Sequence, residues 1–311
     1  MISKLKELQV IYENKGCTVS RVLFKYINST LKKINPMVSY KIYNHKIKMP
    51  YAHNLPNILS SYDTYSYNLK RVFGLCYDKF NDLSMVDIGA NIGDTALLLN
   101  NKQCEILCIE GDEGYYNLLV ENTKDFNVTC LNYLVSDSEN RGLTIESKLG
   151  SGSVIRNDLE TDKTISLDDI LSNLEKKFLK SKFLKIDTDG FDFVVLRSAF
   201  NYLNDTKPVI FLEFDPYFLL KQKENPRELF IFLKKLNYTD MLIYDNFGYM
   251  VMSLSLNDER QIDDLILYFT GRGNEFYSDI CFFNEEDKDV FDFIYNQEIE
   301  FYRDYYKQQL K

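Results

Sequence analysis

The residues best suited to chemistry in this sequence sit where short apolar runs end in turns. Val86-Asp87-Ile88-Gly89-Ala90-Asn91-Ile92-Gly93-Asp94 reads as a strand closing at Asp87, a tight glycine turn, and a helix opening near Asp94. Such a turn brings bare backbone, at Ala90 and Asn91 included, close to a ligand at a helix N-terminus. A dinucleotide site would carry G-x-G-x-x-G, whose third glycine lets the helix approach a pyrophosphate. Here the pattern is D-x-G-x-N-x-G, with no third glycine and no Walker lysine. It suits a ligand with no phosphates to cradle, namely S-adenosylmethionine, and disfavours a nicotinamide oxidoreductase.

The next apolar run ends in Glu110, seventeen residues after Gly93. An acid at that strand tip can accept both hydroxyls of a ribose. Asp137, in Leu134-Val135-Ser136-Asp137, stands either at an adenine amino group or in a turn. Two further runs close in carboxylates, Lys185-Ile186-Asp187-Thr188-Asp189-Gly190 and Phe211-Leu212-Glu213-Phe214-Asp215-Pro216. In an open parallel sheet the ligand crevice lies beyond the carboxyl ends of the strands. Asp187, Asp189 and Glu213 are therefore candidates to surround a reacting centre. They could hold a divalent cation through oxygen, or one could take the proton of a substrate hydroxyl. Asp215 reads as the cap of the following helix. His53, between Pro50 and Pro56, is the histidine considered as a general base near neutral pH, with a structural role as the alternative. Tyr62-Asp63 is a candidate to close over the cofactor, and His45 is expected to be solvated at a hairpin tip.

Positioning these residues requires a particular set of elements. From residue 84 onward short apolar strands alternate with helical patterns at about 94–100, 115–124, 193–203 and 227–236. That alternation implies βαβ units and a parallel sheet covered on both faces. Three later strands with one intervening helix, about 258–269, predict an antiparallel ending. Upstream, residues 1–35 carry helical spacing until Pro36, SYKIY and KIKMPY flank a hairpin at Asn44-His45, and 61–80 reads as one helix. In that helix Tyr65, Leu69, Val72, Phe73 and Cys76 point inward. Residues 285–311 form a terminal helix, expected to dock on its own domain or pair between subunits. Ser166-Leu167-Asp168-Asp169 reads as a helix start.

Composition narrows the partners. The net charge of −9 argues against nucleic acid as a general partner. The total is uneven: residues 1–50 hold ten lysines and arginines against Glu7 and Glu13, a local +8, and the remainder carries −17. The six cysteines show no paired spacing, so buried thiols in a reducing, cytoplasmic setting are expected rather than zinc ligands. No apolar run is long enough to span a bilayer, and no secretory signal is recognised in residues 1–15. The basic segment 1–50 is a candidate for weak contact with an anionic inner membrane surface, a solvated basic helix being the alternative. The 23 tyrosines and 22 phenylalanines are read as compositional background, not as a binding signature.

VDIGANIGDTALLL, the Glu110 strand, VSDSEN, TISLDDIL, LKIDTDGFDFVVLRSA and VIFLEF succeed one another in a way that resembles the FkbM-like methyltransferases over about residues 84–245. The pairing of DIGANIG with KIDxxG-F-x-x-x-L is the specific part. The resemblance implies a Rossmann-like class I α/β fold with a seven-stranded, mostly parallel sheet, antiparallel last strands and helices on both faces. An N-terminal helical and hairpin cap over 1–80, a methyltransferase domain over 81–284 and a C-terminal helix over 285–311 complete the expected layout. It implies S-adenosylmethionine as methyl donor and O-methylation of a hydroxyl on a bacterial surface glycan, a glycolipid or a natural product. Position by position, Asp87, Gly89, Ala90, Asn91, Gly93, Glu110 and Asp137 would bind the cofactor, and Asp187, Asp189 and Glu213 would face the acceptor. The family usually has Glu where this chain has Asp189, one methylene shorter. The base is left open between Asp187, His53 and a bound metal. A catalytically idle cofactor-binding scaffold is the competing class, and homodimerisation is left open.

Overall fold

The computed structural model describes residues 20–99, 104–137, 143–148, 151–156, 164–174, 176–273 and 276–309. Residues 1–19 at the head of the basic segment, Cys17 among them, and Gly150 lie outside the described residues. A helix, Ser20–Ile34, leads into a hairpin of β1 (Met37–Ile42) and β2 (His45–Pro50), then helices Leu55–Ser61 and Tyr67–Lys79. The alternating region follows with β3 (Met85–Ile88), β4 (Ile106–Ile109) and β5 (Val128–Leu131). Four short strands come next, in two pairs: β6 (Leu134–Val135) with β9 (Thr164–Ile165), and β7 (Leu143–Lys148) with β8 (Ser151–Arg156). The main sheet resumes with β10 (Phe183–Ile186), β11 (Val209–Phe214), β12 (Tyr238–Asp245), β13 (Met250–Ser255) and β14 (Ser278–Asn284), before the terminal helix Lys288–Gln309.

The main sheet runs β13-β12-β14-β11-β10-β3-β4-β5. Strands β11, β10, β3, β4 and β5 are mutually parallel, while β14 enters antiparallel between β11 and β12. The expected seven strands are thus eight. The turn at Asp245–Tyr249 explains the addition: Gly248 sits at φ +87, and Asp245 accepts from the Phe247 and Tyr249 amides. So tight a reversal lays β13 directly on the open edge of β12.

Every residue of β3, β4 and β10 is buried, as strands covered on both faces must be. Successive side chains therefore divide between two cores. Val86, Ile88, Leu184, Ile186, Ile210 and Leu212 join the side covered by helices Leu167–Ser172, Asp192–Ser198 and Pro226–Lys235. Met85, Phe183, Val209 and Phe211 join the side covered by Tyr67–Lys79 and the terminal helix. A third cluster seats the hairpin, through Val38, Ile42, Ile47 and Met49, against Tyr115 and Leu118 of helix Glu113–Thr123. There the Asn122 side chain accepts from the Lys48 amide and donates to its carbonyl, acting as a short piece of neighbouring strand.

Several local expectations are corrected. The hairpin turn is Tyr43-Asn44, both at positive φ as a tight two-residue reversal demands, and His45 is part-buried edge-on against Phe126. The helix read over 61–80 begins only at Tyr67, and Tyr65 lies in the connection from helix Leu55–Ser61. The helix read over 193–203 breaks at Ala199. The run NVTCLNYLV is two strands, parted where Asn132 turns its side-chain amide onto the Glu110 and Gly111 carbonyls. Cys104 and Cys108 are buried thiols, as expected.

The terminal helix docks on its own chain. Arg71 donates to both oxygens of Glu298 at 2.7 and 2.9 Å and to the Tyr302 hydroxyl at 2.8 Å, under a Phe301 ring 3.9 Å away. Glu298 is 1% exposed. Removing one member of such a pair strands a buried charge. Glu298→Ala is therefore expected to cost about 3–5 kcal/mol in urea unfolding, and Arg71→Met with Glu298→Leu together far less. A loss under 1 kcal/mol for the single variant would show that the pair does not anchor the helix.

Candidate active site

Alternation along the strands assembles the site. On the face covered by helix Tyr67–Lys79, Asp87 of β3 lies in register with Lys185 of β10, and Lys185 with Phe211 of β11. Two residues further on, Asp187 follows β10, and Glu213 of β11 is in register with Asp279 of β14. A row of acids thus forms at the edge of the sheet where β10 and β11 end and β14 begins, with a lysine one step below.

Lys185 is the pivot. Its Nζ is 3.2 Å from Asp87 Oδ1 and 3.2 Å from Asp187 Oδ2, and Asp87 itself is fully buried. The Asp187 contact has hydrogen-bond geometry; that to Asp87 is a charge contact, and neither Asp87 oxygen has a hydrogen-bond partner among the described residues. Burial opposes the lysine's charge, yet Asp187, Asp87 and Asp94 outweigh it and hold its pKa well above the ordinary value. Sequence reading passed over Lys185 because a lysine inside an apolar strand signals nothing until its neighbours are known.

The glycine turn works differently from expectation. A Cβ on Gly89, at φ +79, would sit 1.9 Å from the Asp187 carbonyl oxygen, and one on Gly93 would strike Thr123 and Leu119. Both glycines answer to packing of the protein on itself. The amides of Gly89 and Ala90 donate to the Ile109 carbonyl, that of Asn91 to Glu110 Oε2, and that of Gly93 to the Ala90 carbonyl. These four N–H groups are therefore not aimed outward as in a phosphate cradle.

Glu110 is buried and also accepts from the Asp112 amide at 2.8 Å. Burial, partly offset by these two amides, pushes its carboxyl up to about 7. His53 is buried beside it. Its Nδ1 accepts from the Leu55 amide at 3.3 Å, which leaves Nε2 to carry the proton toward Asn91 Oδ1 at 3.2 Å in the neutral ring. Asn91 stands at φ +49, so His53 braces a left-handed residue. His53 thus reaches the cleft with its ring tied to the Leu55 backbone and to Asn91.

These groups line a cleft of about 300 Å³. His53, Asp187, Asp189 and Glu213 all reach it, as do Gly89, Asn91 and Glu110; Asp87, Ala90, Gly93 and Asp137 are not among its lining residues. Asp137 is engaged instead by Arg197 at 2.7 Å, which also grips Glu224. Tyr62 stacks on Phe247 away from the cleft, and Asp215 caps the helix beginning at Pro216 as expected. Unforeseen members are Lys185, Asp94, Tyr65 and Tyr277. Asp279, held by Asn68 at 2.9 Å, stands behind them. Among the described residues no group of three or more His, Cys, Asp or Glu side chains is arranged to hold a metal ion. No helix among the described residues is long and apolar enough to cross a membrane.

Strand order and cleft together define a Rossmann-like α/β domain of the class I methyltransferase type. Residues 87–239 match the methyltransferase FkbM domain, and over that span the chain is FkbM-like. A crystal structure of methyltransferase FkbM from Methylobacillus flagellatus KT is 17% identical over 52% of this chain and 40% of that one, with a TM-score of 0.36. Precorrin-6y C5,15-methyltransferase from Geobacter metallireducens GS-15 is 16% identical over 68% of this chain and 86% of that one, with a TM-score of 0.36. A putative O-methyltransferase from Klebsiella pneumoniae is 12% identical over 70% and 80%, with a TM-score of 0.38. No curated protein matches the chain.

The crowded acids leave a mark on stability. Burial, then neighbouring negative charge, raises Asp189 to about 7 and Glu213 well above its ordinary value. Asp192 rises to about 6 and Asp279 to about 7, burial again being the main cause. Unfolded carboxyls titrate at about 4. Between about 4 and 7 the folded chain thus binds more protons than the unfolded one, and stability falls as pH rises through that window. Thermal unfolding is expected to give a higher Tm at pH 5.5 than at pH 8; a flat or rising Tm would contradict this account of the cleft.

Proposed function

We propose that this chain is an S-adenosylmethionine-dependent O-methyltransferase acting on a hydroxyl of a glycan or related glycoconjugate. The observation that carries the cofactor assignment is the pairing of Glu110 with an inward-bonded glycine turn. Each Glu110 oxygen accepts one backbone N–H and keeps a lone pair for a ribose hydroxyl. Ile109, Leu134 and Val135 add apolar wall beside it. The cleft's surplus of carboxylate over the single Lys185 complements a sulfonium cation. Bound there, S-adenosylmethionine supplies an electrophilic methyl group.

The chain's own residues then have distinct tasks. Lys185 holds Asp187 to β3 and fixes where the acid row meets the glycine turn. Tyr65 and Tyr277, kept protonated by burial, can donate to acceptor oxygens. Asp189, with its pKa lifted to about 7, is matched to taking the acceptor hydroxyl proton near neutral pH. Holding the acceptor in line can itself supply several kcal/mol of the barrier. His53, Asn54 and Tyr65 come from the first 80 residues, so acceptor choice is assigned to that cap.

Calorimetry with S-adenosylhomocysteine is expected to show binding that Glu110→Ala weakens at least about tenfold, a loss on the scale of one charge-assisted hydrogen bond. No binding by the native chain would end this proposal. Transfer of labelled methyl to hydroxylated glycans should rise with pH through about 7, since the base must be ionised. Asp189→Asn should lower it by roughly 10²–10⁴; a profile unchanged in that variant would remove Asp189 as the base.

A further inference from the structure

A second cavity, of about 510 Å³, opens between the β1–β2 hairpin and helices Leu55–Ser61 and Tyr67–Lys79. Four tyrosines line it, Tyr40, Tyr43, Tyr62 and Tyr67, with Lys41 and Asp63 between them. Its size falls in the roughly 300–1,000 Å³ range of small-molecule sites. We propose that this groove is a saccharide-binding subsite, holding sugar units adjacent to the one whose hydroxyl enters the cleft. The inference rests on the acceptor reading above and extends it to a site outside the catalytic cleft.

The chemistry of the lining selects this occupant. A tyrosine offers a flat apolar face with a hydroxyl at its rim, and loses few rotamers on binding. A pyranose is built the same way, with an apolar C–H face and a rim of hydroxyls. The rings are also fixed in advance: Tyr62 stacks on Phe247 at 3.9 Å and 24°, and Tyr43 meets Tyr67 edge-on at 6.3 Å and 81°. Preorganised platforms lower the entropic cost of binding. Tyr62 and Tyr67 nevertheless remain 39% exposed, an aromatic area left open among the described residues. Charge points the same way. Lys41 and Asp63 offset each other, so the groove suits a neutral polar chain, whereas the cleft beside it is acidic.

Groove and cleft flank a single helix. Leu55 and Ile58 of Leu55–Ser61 face the cleft, while Pro56, Leu59 and Ser60 face the groove. Tyr43 is near enough to Asp94, a cleft residue, that the carboxylate adds to burial in raising its hydroxyl's pKa. Adjacent units of one oligosaccharide are of the size to occupy both.

Saturation-transfer NMR tests this without any methyl donor. Maltotriose and chitotriose serve as probes, with irradiation of the aromatic protons. Transfer to at least one sugar is expected in the native chain and in Asp189→Asn. It should fall at least fivefold in Tyr62→Ala and in Ser60→Arg, the latter filling the groove from an exposed position with no core contact removed. Binding of S-adenosylhomocysteine should be unchanged in both variants, which separates failure of the subsite from failure of the methyltransferase reading. No transfer to either trisaccharide, or equal transfer in all variants, overturns the proposal.

Discussion

The contact on which the site depends is the buried amine of Lys185 between Asp87 and Asp187. Burying the Lys185 amine or the Asp87 carboxylate alone would cost several kcal/mol, whereas Asp187 stays half-exposed. Held in register on adjacent strands, they make one another tolerable. The consequence is positional: β3 and β10 cannot shift register without exposing an unpaired charge to the apolar core. The same junction carries Gly89, whose absent side chain lets the β3 turn close onto the Asp187 carbonyl. Charge pairing and close packing thus lock the two strand ends whose loops build the cleft.

Around that lock the cleft gathers far more negative than positive charge. Most of its acids are raised by burial, so the ligand-free protein carries repulsion that a cationic ligand would relieve. This arrangement is unfavourable for folding and useful for binding, the trade expected where a functional site is built into a stable sheet. Stability lies elsewhere, in the two apolar cores and the Arg71–Glu298–Tyr302 cluster, which fastens the terminal helix over the same sheet face. Helix Tyr67–Lys79 links the two regions: Arg71 reaches the terminal helix, and Asn68, one turn earlier, reaches Asp279 behind the cleft.

Much of this organisation was legible from residue order. Apolar runs of strand length alternating with helical spacing announced the parallel sheet, because burial on both faces removes polar alternation. The acids at Asp187, Asp189, Glu213 and Glu110 could be placed at strand ends, and strand ends of such a sheet converge. Asp137 could not be judged the same way, since it depended on Asn132 breaking what looked like one strand and on Arg197, sixty residues distant. His53 was recognisable as unusual, but its tautomer is set by the Leu55 amide and Asn91, partners that no spacing reveals.

Local chemistry written along the chain therefore settled the element types, their order and the acids at their tips, because periodicity and turn residues act over a few positions. Folding alone settled the strand order, the pivot at Lys185, the inclusion of Tyr65, Tyr277 and Asp279, and the reason Gly89 and Gly93 are glycines. These depend on register between strands and on neighbours many residues apart. The aromatic abundance shows the same division. As composition it carried no meaning, and it acquired one where the fold brought Tyr40, Tyr43, Tyr62 and Tyr67 to the walls of one groove.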